Sequence, residues 1–369
     1  MSRETTPPSM AIAGRRVGGG GPPFVIAEIG LNHGGAIDRA LALVEAAAAA
    51  GADAIKLQTI VAENLVAPSC PAPAHVEASS LVDFFRRFEL NEAAHVRVFN
   101  RARARGLAVL STPFSLDAVE MLERIGVDGY KIASGDITWD ALIARAAATG
   151  KPIVASTGMA NLAEVRHAVD AARRAGATDL AVLHCVSAYP VPQGSENLRA
   201  IATLAETCGV PSGLSDHGAD TFALPIAVAL GASIYERHLV QDGDGDAIDR
   251  AVSSTSTELA AAVRAGRRAW AALGSGQKIC LPAEAVNVTA SRRSLCAARA
   301  LPAGAVLGAG DLVALRPAAG FAPNHLASLV GRRLRDAVAR GQPVTSSLVL
   351  DAEPIGAGSA RHPEADRVA

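Results

Sequence analysis

Between residues 24 and 274 one phrase recurs along the chain: an alanine-rich amphipathic stretch ends at a glycine, and a short apolar run follows. The glycines are Gly51, Gly106, Gly126, Gly150, Gly176, Gly209 and Gly231, and the runs behind them span 54–58, 107–111, 129–133, 152–156, 180–185, 211–215 and 233–236. Glycine just past a helix tolerates the left-handed conformation that satisfies the last carbonyls, so each one marks a helix end. Ile37, Leu41, Val44 and Ala48 fall on one helical face before Gly51. The runs are short and apolar, as parallel strands buried on both sides must be. With 24–29 as the first strand and 256–273 as the eighth helix, the pattern gives eight βα units in about 250 residues, the arithmetic of a (β/α)8 TIM barrel. An open doubly wound sheet fits less well. It normally has fewer strands and a glycine-rich turn after the first, whereas Gly18–Gly21 precedes the first strand here.

The remaining sequence sets limits on compartment and partners. Lys plus Arg number 35 against 36 Asp plus Glu, a formal net charge of −1. That balance gives no electrostatic reason to expect nucleic acid or an anionic membrane. No apolar run approaches the roughly 20 residues of a membrane span. Residues 1–23 read as a disordered lead-in, because Arg15 and Arg16 are followed by glycines and not by the apolar core of a signal peptide. Five cysteines without C-x-x-C spacing suit a reducing, cytoplasmic setting. Past the barrel, which ends at Gly274, residues 275–290 read as a linker. Residues 291–350 read as a small, mostly β domain in which 301–307 is echoed by 338–344 around glycine turns. The polar, Pro/Gly-rich segment 351–369 reads as a disordered tail.

A TIM barrel carries its chemistry at the C-terminal ends of its strands. In strand order those ends hold Glu28 with Asn32 and His33, Lys56 with Gln58, Thr112 with Phe114, and Lys131 with Ser134 and Asp136. Ser156 with Thr157, Ser187 with Tyr189, Ser215 with Asp216 and His217, and Glu236 with His238 complete the ring. Every strand delivers polar groups to one rim, the mark of a working site. Lys56 and Lys131, with the hydroxyls of Thr112, Ser134, Ser156 and Ser215, form a cradle for a dianion; the competing reading of each lysine is a surface salt bridge. His217 and His238 end adjacent strands, which suits a divalent metal with open positions, or else two hydrogen-bonded histidines. His184 and Cys185, inside an apolar run, read as structural and as core.

These motifs resemble the sialic acid synthase family. The resemblance rests on Ala-Glu28-Ile-Gly-Leu-Asn-His33, Lys56-Leu-Gln-Thr59, Ser111-Thr-Pro-Phe114, Tyr130-Lys-Ile-Ala-Ser-Gly-Asp136 and Ser156-Thr-Gly-Met159. Leu183-His-Cys, Tyr189-Pro, Leu214-Ser-Asp-His217, Tyr235-Glu-Arg-His238 and Asp249 with Ser253 continue it, and Arg292-Arg-Ser-Leu295 and Arg316-Pro317 resemble the antifreeze-like SAF domain. The family joins phosphoenolpyruvate to an open-chain N-acetylated aldose, giving a 2-keto-3-deoxy sugar acid and phosphate by C–O cleavage. Mn²⁺ or Mg²⁺ at the positions of His217 and His238 polarises the aldehyde. The resemblance implies catalytic roles for Glu28, Asp249 and Tyr189, and a phosphoenolpyruvate site of Lys56, Thr112, Lys131, Ser134, Ser156 and Ser215. It implies a sugar site of Gln58, Phe114, Asp136, Glu236 and Arg316, with Tyr189 beside it. It further implies a homodimer in which the small domain, with Arg316, closes the partner's barrel.

Two departures bear on the sugar. Asp136 stands where well-known members have Glu, and Ser187 where they have Asn, so the reaction type carries over while the aldose does not. The acidic stretch 241–248, with Asp242, Asp244 and Asp246, reads as a solvated loop ahead of extra metal ligands. Two other readings compete: a Schiff-base aldolase using Lys56 or Lys131 as nucleophile, and a carbohydrate-binding protein whose rim has lost activity.

Overall fold

The computed structural model describes residues 7–71 and 78–350. They divide into two compact units, one ending at Ser275 and the other beginning at Gly276. In the first, eight parallel strands close on themselves. They are β1 (Phe24–Glu28), β2 (Ala54–Thr59), β3 (Ala108–Pro113), β4 (Gly129–Ile132), β5 (Ile153–Ser156), β6 (Leu180–Cys185), β7 (Ser212–Asp216) and β8 (Ile234–Leu239). Each pairs with the next, and β8 pairs with both β7 and β1, so the barrel has no free edge. The seven marker glycines all have positive φ, between 62° and 103°. The helix Ser256–Leu273 follows the last strand at the expected place, opened by a capping box between Thr255 and Glu258.

Strand residues alternate between two environments, and that alternation positions the site. Val25, Ala27, Ile55, Leu57, Val109, Tyr130, Ile132 and Val182 pack outward against the helices in one large apolar cluster. Phe24, Ile26, Ala54, Leu110, Val154, Ala181, Leu183 and Ile234 form a second, separate cluster. Along β1, Phe24 and Ile26 share their side of the strand with Glu28; along β2, Ala54 shares its side with Lys56 and Gln58. The period of two therefore carries each inward face from apolar at the bottom to ionisable at the top.

The lead-in expected to be disordered is, over its described part, a β-hairpin. Strands Ser9–Ile12 and Arg15–Gly18 pair antiparallel around Ala13 and Gly14, both with φ > 0, at 48° and 74°. Met10, Ile12 and Val17 point one way and join the inner cluster, plugging the barrel bottom. The hairpin is tied there by Ala11 N donating to Asp179 Oδ1 at 2.6 Å and Arg15 Nη2 donating to the Gly106 carbonyl at 2.6 Å. Three buried apolar side chains supply the reason that composition did not reveal. Residues 1–6, and the tail 351–369, lie outside the described residues.

A second addition follows β2. The short helices Ala62–Leu65 and Leu81–Arg86 precede the barrel helix Glu92–Ala104. The acidic loop after β8 does not gather its carboxylates: Asp244 pairs with Arg39.

The second unit is small and mostly β. Ser294–Ala297 pairs antiparallel with Leu312–Leu315. The two echoed segments meet, with Leu301 and Val338 exchanging reciprocal backbone hydrogen bonds at 2.9 Å. Leu295, Leu301, Leu312, Leu334, Val338 and Val344 form its core. The expected linker 275–290 is partly structured. A 3-10 turn, Pro282–Glu284, leads into the helix Ala285–Ser291, and Ala318 N donates to the Thr289 carbonyl at 2.9 Å, so this segment belongs to the second unit.

If the hairpin is a structural plug, Ile12, which is fully buried, contributes to barrel stability. Ile12→Ala should lower the unfolding free energy by about 2–5 kcal/mol, the usual range for emptying a core isoleucine site. Chemical denaturation checks this, and a change below about 0.5 kcal/mol would mean the hairpin is dispensable.

Candidate active site

The inward residues at the strand tops line one cavity of about 570 Å³. Glu28, Lys56, Gln58, Thr112, Phe114, Lys131, Ser134, Ser156, Tyr189, Ser215, His217, Glu236, His238 and Asp249 all border it. A larger groove of about 1050 Å³, bordered by Gln193, Arg199 and Phe222, lies apart and contains neither lysine nor histidine. The ring of ionisable groups, and not the larger volume, marks the site.

The floor is ionic. Lys56 Nζ lies 3.3 Å from both Glu28 Oε2 and Glu236 Oε2. Lys131 Nζ lies 3.6 Å from Glu236 Oε1 and donates to Ser156 Oγ at 2.5 Å. Ser215 Oγ donates to Glu236 Oε1 at 2.8 Å, and Gln58 Nε2 donates to Glu28 Oε1 at 2.9 Å. All four charged side chains are buried. Burial pulls both lysines downward, but the outcome differs. Two carboxylates touch Lys56 and hold it above the usual lysine value, whereas Lys131, with one carboxylate and Lys56 nearby, falls to about 8. Burial pushes Glu236 upward, and Lys131 and Lys56 outweigh it, bringing the carboxyl down to about 2.

The histidines stand above this floor, with ring centroids 5.6 Å apart. His217 Nδ1 lies 3.1 Å from the Val186 carbonyl, which can only accept, so that nitrogen carries the proton and Nε2 keeps its lone pair. Burial, with His238 adding to it, depresses His217 to about 4, so its ring is neutral at pH 7. His238 Nδ1 lies 3.2 Å from Asp249 Oδ2. Burial lowers His238, and Asp249 outweighs it, so its affinity for a proton is raised. Asp249 is held in place through its backbone N–H, which donates to Asn32 Oδ1 at 3.0 Å, while Asn32 Nδ2 donates to the Leu239 carbonyl and Ser253 Oγ at 2.9 Å. Tyr189 stacks on His217 with centroids 4.2 Å apart.

Thr112 Oγ1 is buried without a hydrogen bond, whereas Glu28 Oε2 and Glu236 Oε2 are held by ion pairs to Lys56 at 3.3 Å and His238 Nδ1 by one to Asp249 at 3.2 Å. Buried polar groups are almost always paired, so the Thr112 hydroxyl marks a place for a ligand's hydrogen bond. As a metal site, the cavity offers two imidazoles: His217, neutral with its proton on Nδ1, and His238, paired through Nδ1 with Asp249. Among the described residues no group of three or more His, Cys, Asp or Glu is arranged to hold a metal. Two imidazoles alone are a sparse donor set, so a divalent cation held there would have to take its remaining ligands from water and substrate.

Not every expected residue joins the cavity. Asp136 sits on the 3-10 turn Ser134–Asp136 and is outside the lining; burial, opposed by Lys131, raises its carboxyl to about 6, and Oδ2 has no partner. Arg316 is an exposed residue of the second unit, following the strand Leu312–Leu315. Glu236, assigned to the sugar by resemblance, sits among the lysines and Ser215 instead. Cys185, read as core, borders the cavity, with Sγ 3.6 Å from His217 Nδ1. Its parity with Ala181 and Leu183 on β6 was the available signal. His184, one residue earlier, meets the Glu196 carbonyl at 2.7 Å through Nε2. Leu31, Leu65, Phe85 and Met159 also border the cavity. A Cβ at Gly158 would meet the hydroxyls of Ser187 and Ser134, whose side chains would have to turn away.

This combination of fold and site recurs in known proteins. A model of the NeuB family matches residues 43–278, and a SAF domain model matches residues 292–350. The N,N'-diacetyllegionaminic acid synthase of Legionella pneumophila is 35% identical, across 84% of this chain and 90% of its own length. The N-acetylneuraminate-9-phosphate synthase of Mus musculus is 31% identical, across 87% of this chain and 91% of its own. The crystal structure of N-acetylneuraminic acid synthetase from Leptospira borgpetersenii, in complex with citrate, superposes with a TM-score of 0.70 at 32% identity, covering 78% of this chain and 97% of that one. With a family model spanning most of its barrel and relatives matched along nearly their whole length, the chain belongs to the NeuB family and carries a C-terminal SAF domain.

Proposed function

We propose that this cavity condenses phosphoenolpyruvate with an open-chain N-acylated aldose, releasing phosphate and a 2-keto-3-deoxy sugar acid of the sialic acid type. The observation that carries the reading is the buried Lys56–Glu236–Lys131 floor, flanked by Ser156 and Ser215 and facing two histidines in one cavity. Relatives that are synthases of sialic, legionaminic and pseudaminic acids support the same reaction class.

The residues divide the work by position. Lys56 and Lys131 hold the phosphate and carboxylate of phosphoenolpyruvate, helped by the hydroxyls of Thr112, Ser134, Ser156 and Ser215. The enol carbon C3 attacks the aldehyde carbon, whose oxygen gains a proton. Water then adds at C2, and Glu28, whose Oε2 is paired with Lys56 at 3.3 Å, takes the proton released. The tetrahedral carbon expels phosphate by breaking its C–O bond, and the keto group forms. Tyr189 and Asp249 flank His217 and His238, where the aldehyde end of the sugar must lie. Mn²⁺ or Mg²⁺ held by His217 and His238 would polarise the aldehyde oxygen. Charge supports a cation: two lysines and two glutamates cancel formally, so the anionic substrate enters a floor with no net positive charge. The same reading gives Arg316 the amide carbonyl of the aldose, in the cavity of a second copy within a homodimer, since a guanidinium offers fixed planar donors.

One observation favours a second reading. A buried lysine lowered to about 8, as Lys131 is, is also the starting point for a Schiff-base aldolase. The two separate cleanly. Phosphate release from phosphoenolpyruvate with a panel of N-acylated aldoses should be abolished by EDTA and restored by Mn²⁺ or Mg²⁺. Lys131→Met should lower kcat/KM by about 10²- to 10³-fold, the usual loss when one charge-stabilising group is removed. Metal-independent turnover with covalent trapping by borohydride would establish the aldolase instead.

The pH profile follows from the same lysine. Anion binding needs the protonated amine, which is present below a pKa of about 8 and lost above it. The kcat/KM for phosphoenolpyruvate, which reports the free enzyme, should fall about tenfold per pH unit above about 8. A profile that stays flat to pH 9.5 would show that Lys131 does not carry that charge.

A further inference from the structure

Behind the wall that carries the two histidines lies a polar cluster that the condensation chemistry does not touch. Asp216 shares the outward side of β7 with Leu214, and Arg237 shares the outward side of β8 with Tyr235, where Leu214 and Tyr235 pack in the large apolar cluster. Ser215 and Glu236, of opposite parity, face the cavity. Asp216, Tyr235 and Arg237 are all buried, and Arg237 is only 1% exposed. Arg237 Nη1 donates to the Gly218 carbonyl at 2.7 Å and lies 3.5 Å from both the Asp216 carbonyl and Asp216 Oδ2. Tyr235 Oη donates to Asp216 Oδ2 at 2.7 Å, and Gly218 N donates to Asp216 Oδ1 at 2.9 Å.

These contacts fall where the sheet stops. β7 ends at Asp216, and its ladder to β8 ends with the pair of Asp216 and Arg237, so His217 leaves the sheet without a strand partner. Three successive carbonyls are held all the same: those of Asp216 and Gly218 by Arg237, and that of His217 by Val191 N at 2.9 Å. Arg237 Nε also donates to Ser254 Oγ at 3.0 Å, beside Ser253, whose hydroxyl donates to the Asp249 carbonyl at 2.6 Å. One guanidinium thus joins the turn of His217 to the segment that keeps Asp249 against His238. Replacing a buried ion pair by apolar side chains of similar size is often neutral or stabilising, so stability alone does not account for a guanidinium here.

We propose that Arg237 is a positioning residue: from behind the barrel wall it fixes the turn after β7, and with it the plane of the His217 ring and its distance from His238. This rests on the condensation reading, in which both imidazoles face the aldehyde end of the sugar. The planar fork of a guanidinium grips two carbonyls and a hydroxyl in one geometry, which the single ammonium of lysine cannot do. A turn released from that grip lets the His217 ring tilt away from the Val186 carbonyl, and Nδ1 loses its fixed acceptor.

The test removes both charges together, because Arg237→Met alone would leave the Asp216 carboxylate buried and bare. In Arg237→Met/Asp216→Asn the side chain at 216 can still accept from Gly218 N. Long-range ¹H–¹⁵N spectra of metal-free protein labelled at its histidine nitrogens report the ring, with His217 identified by its loss in His217→Asn. The wild type should show one His217 tautomer, protonated at Nδ1, and the double variant a mixture of both. With phosphate release as the assay, kcat should fall by about 10- to 100-fold, while KM for phosphoenolpyruvate changes by less than about twofold. Arg237→Lys, which keeps the charge, should lie between wild type and double variant in both readouts. An unchanged His217 spectrum with unchanged kcat would overturn the inference. So would a kcat loss accompanied by an equal rise in KM for phosphoenolpyruvate, the mark of a wall that has merely loosened. Should the double variant fail to fold, Arg237→Lys decides alone by the same two readouts. Absence of phosphate release by the wild type with every N-acylated aldose would overturn the condensation reading, and the His217 spectrum would still decide what Arg237 does.

Discussion

Two ammonium groups and two carboxylates share the interior of the barrel, and the site takes its character from how they offset one another. An ammonium group taken out of water alone costs several kcal/mol, and a partner of opposite sign in close contact recovers much of that. Glu236 is the pivot, touching Lys56 through one oxygen and Lys131 through the other. Glu28 adds a second carboxylate to Lys56 only. The asymmetry explains why two buried lysines in one cavity shift in opposite directions, Lys56 upward and Lys131 down to about 8. It also defines what a substrate anion must do. In the proposed reaction it would compete with Glu236 for the lysines, and the hydroxyls of Ser156 and Ser215, already within hydrogen-bonding distance of Lys131 and Glu236, would be the neutral groups that take up the exchange.

That arrangement depends on strand parity. In a closed parallel barrel every second residue faces inward, and here the inward series ends in Glu28, Lys56, Thr112, Lys131, Ser156, Cys185, Ser215 and Glu236. The lower members of the same series are apolar and pack on the hairpin residues Met10, Ile12 and Val17. The hairpin closes the bottom of a barrel whose top is open to substrate, so water has one face of entry. The backbone network around Asn32, Ser253 and Asp249 then fixes the loop after β8 against the loop after β1, which keeps Asp249 beside His238.

The barrel was legible in the sequence because glycine helix ends and short apolar runs are local signals, and eight of them leave little choice of fold. Much of the cavity was legible for the same reason: a residue at the end of a parallel strand is at the active face wherever its strand sits. Direction within that face was harder to read. Asp136 is close in sequence to β4, but the 3-10 turn carries it out of the lining, and nothing local distinguishes that outcome from the one at Ser134. The hairpin escaped notice because its turn is Ala13-Gly14 and lacks the Asn-Gly or Asp-Gly signature, and its strands have only four residues each. Leu65 and Phe85 reach the cavity through tertiary packing of an insertion. The capping signal of Ser80, whose side chain accepts from Asp83 N, could have located the second helix but not where its side chains end.

In the proposed reaction the lysine floor is the anion site for phosphoenolpyruvate. A crystal structure with phosphoenolpyruvate and Mn²⁺ tests it directly. Anion oxygens should lie within about 2.7–3.2 Å, the ordinary hydrogen-bonding range, of the ammonium groups of both Lys56 and Lys131, with Glu236 displaced from at least one of them. Phosphoenolpyruvate bound against Leu65 and Phe85 or outside the cavity, with both lysines still in contact with Glu236, would contradict it.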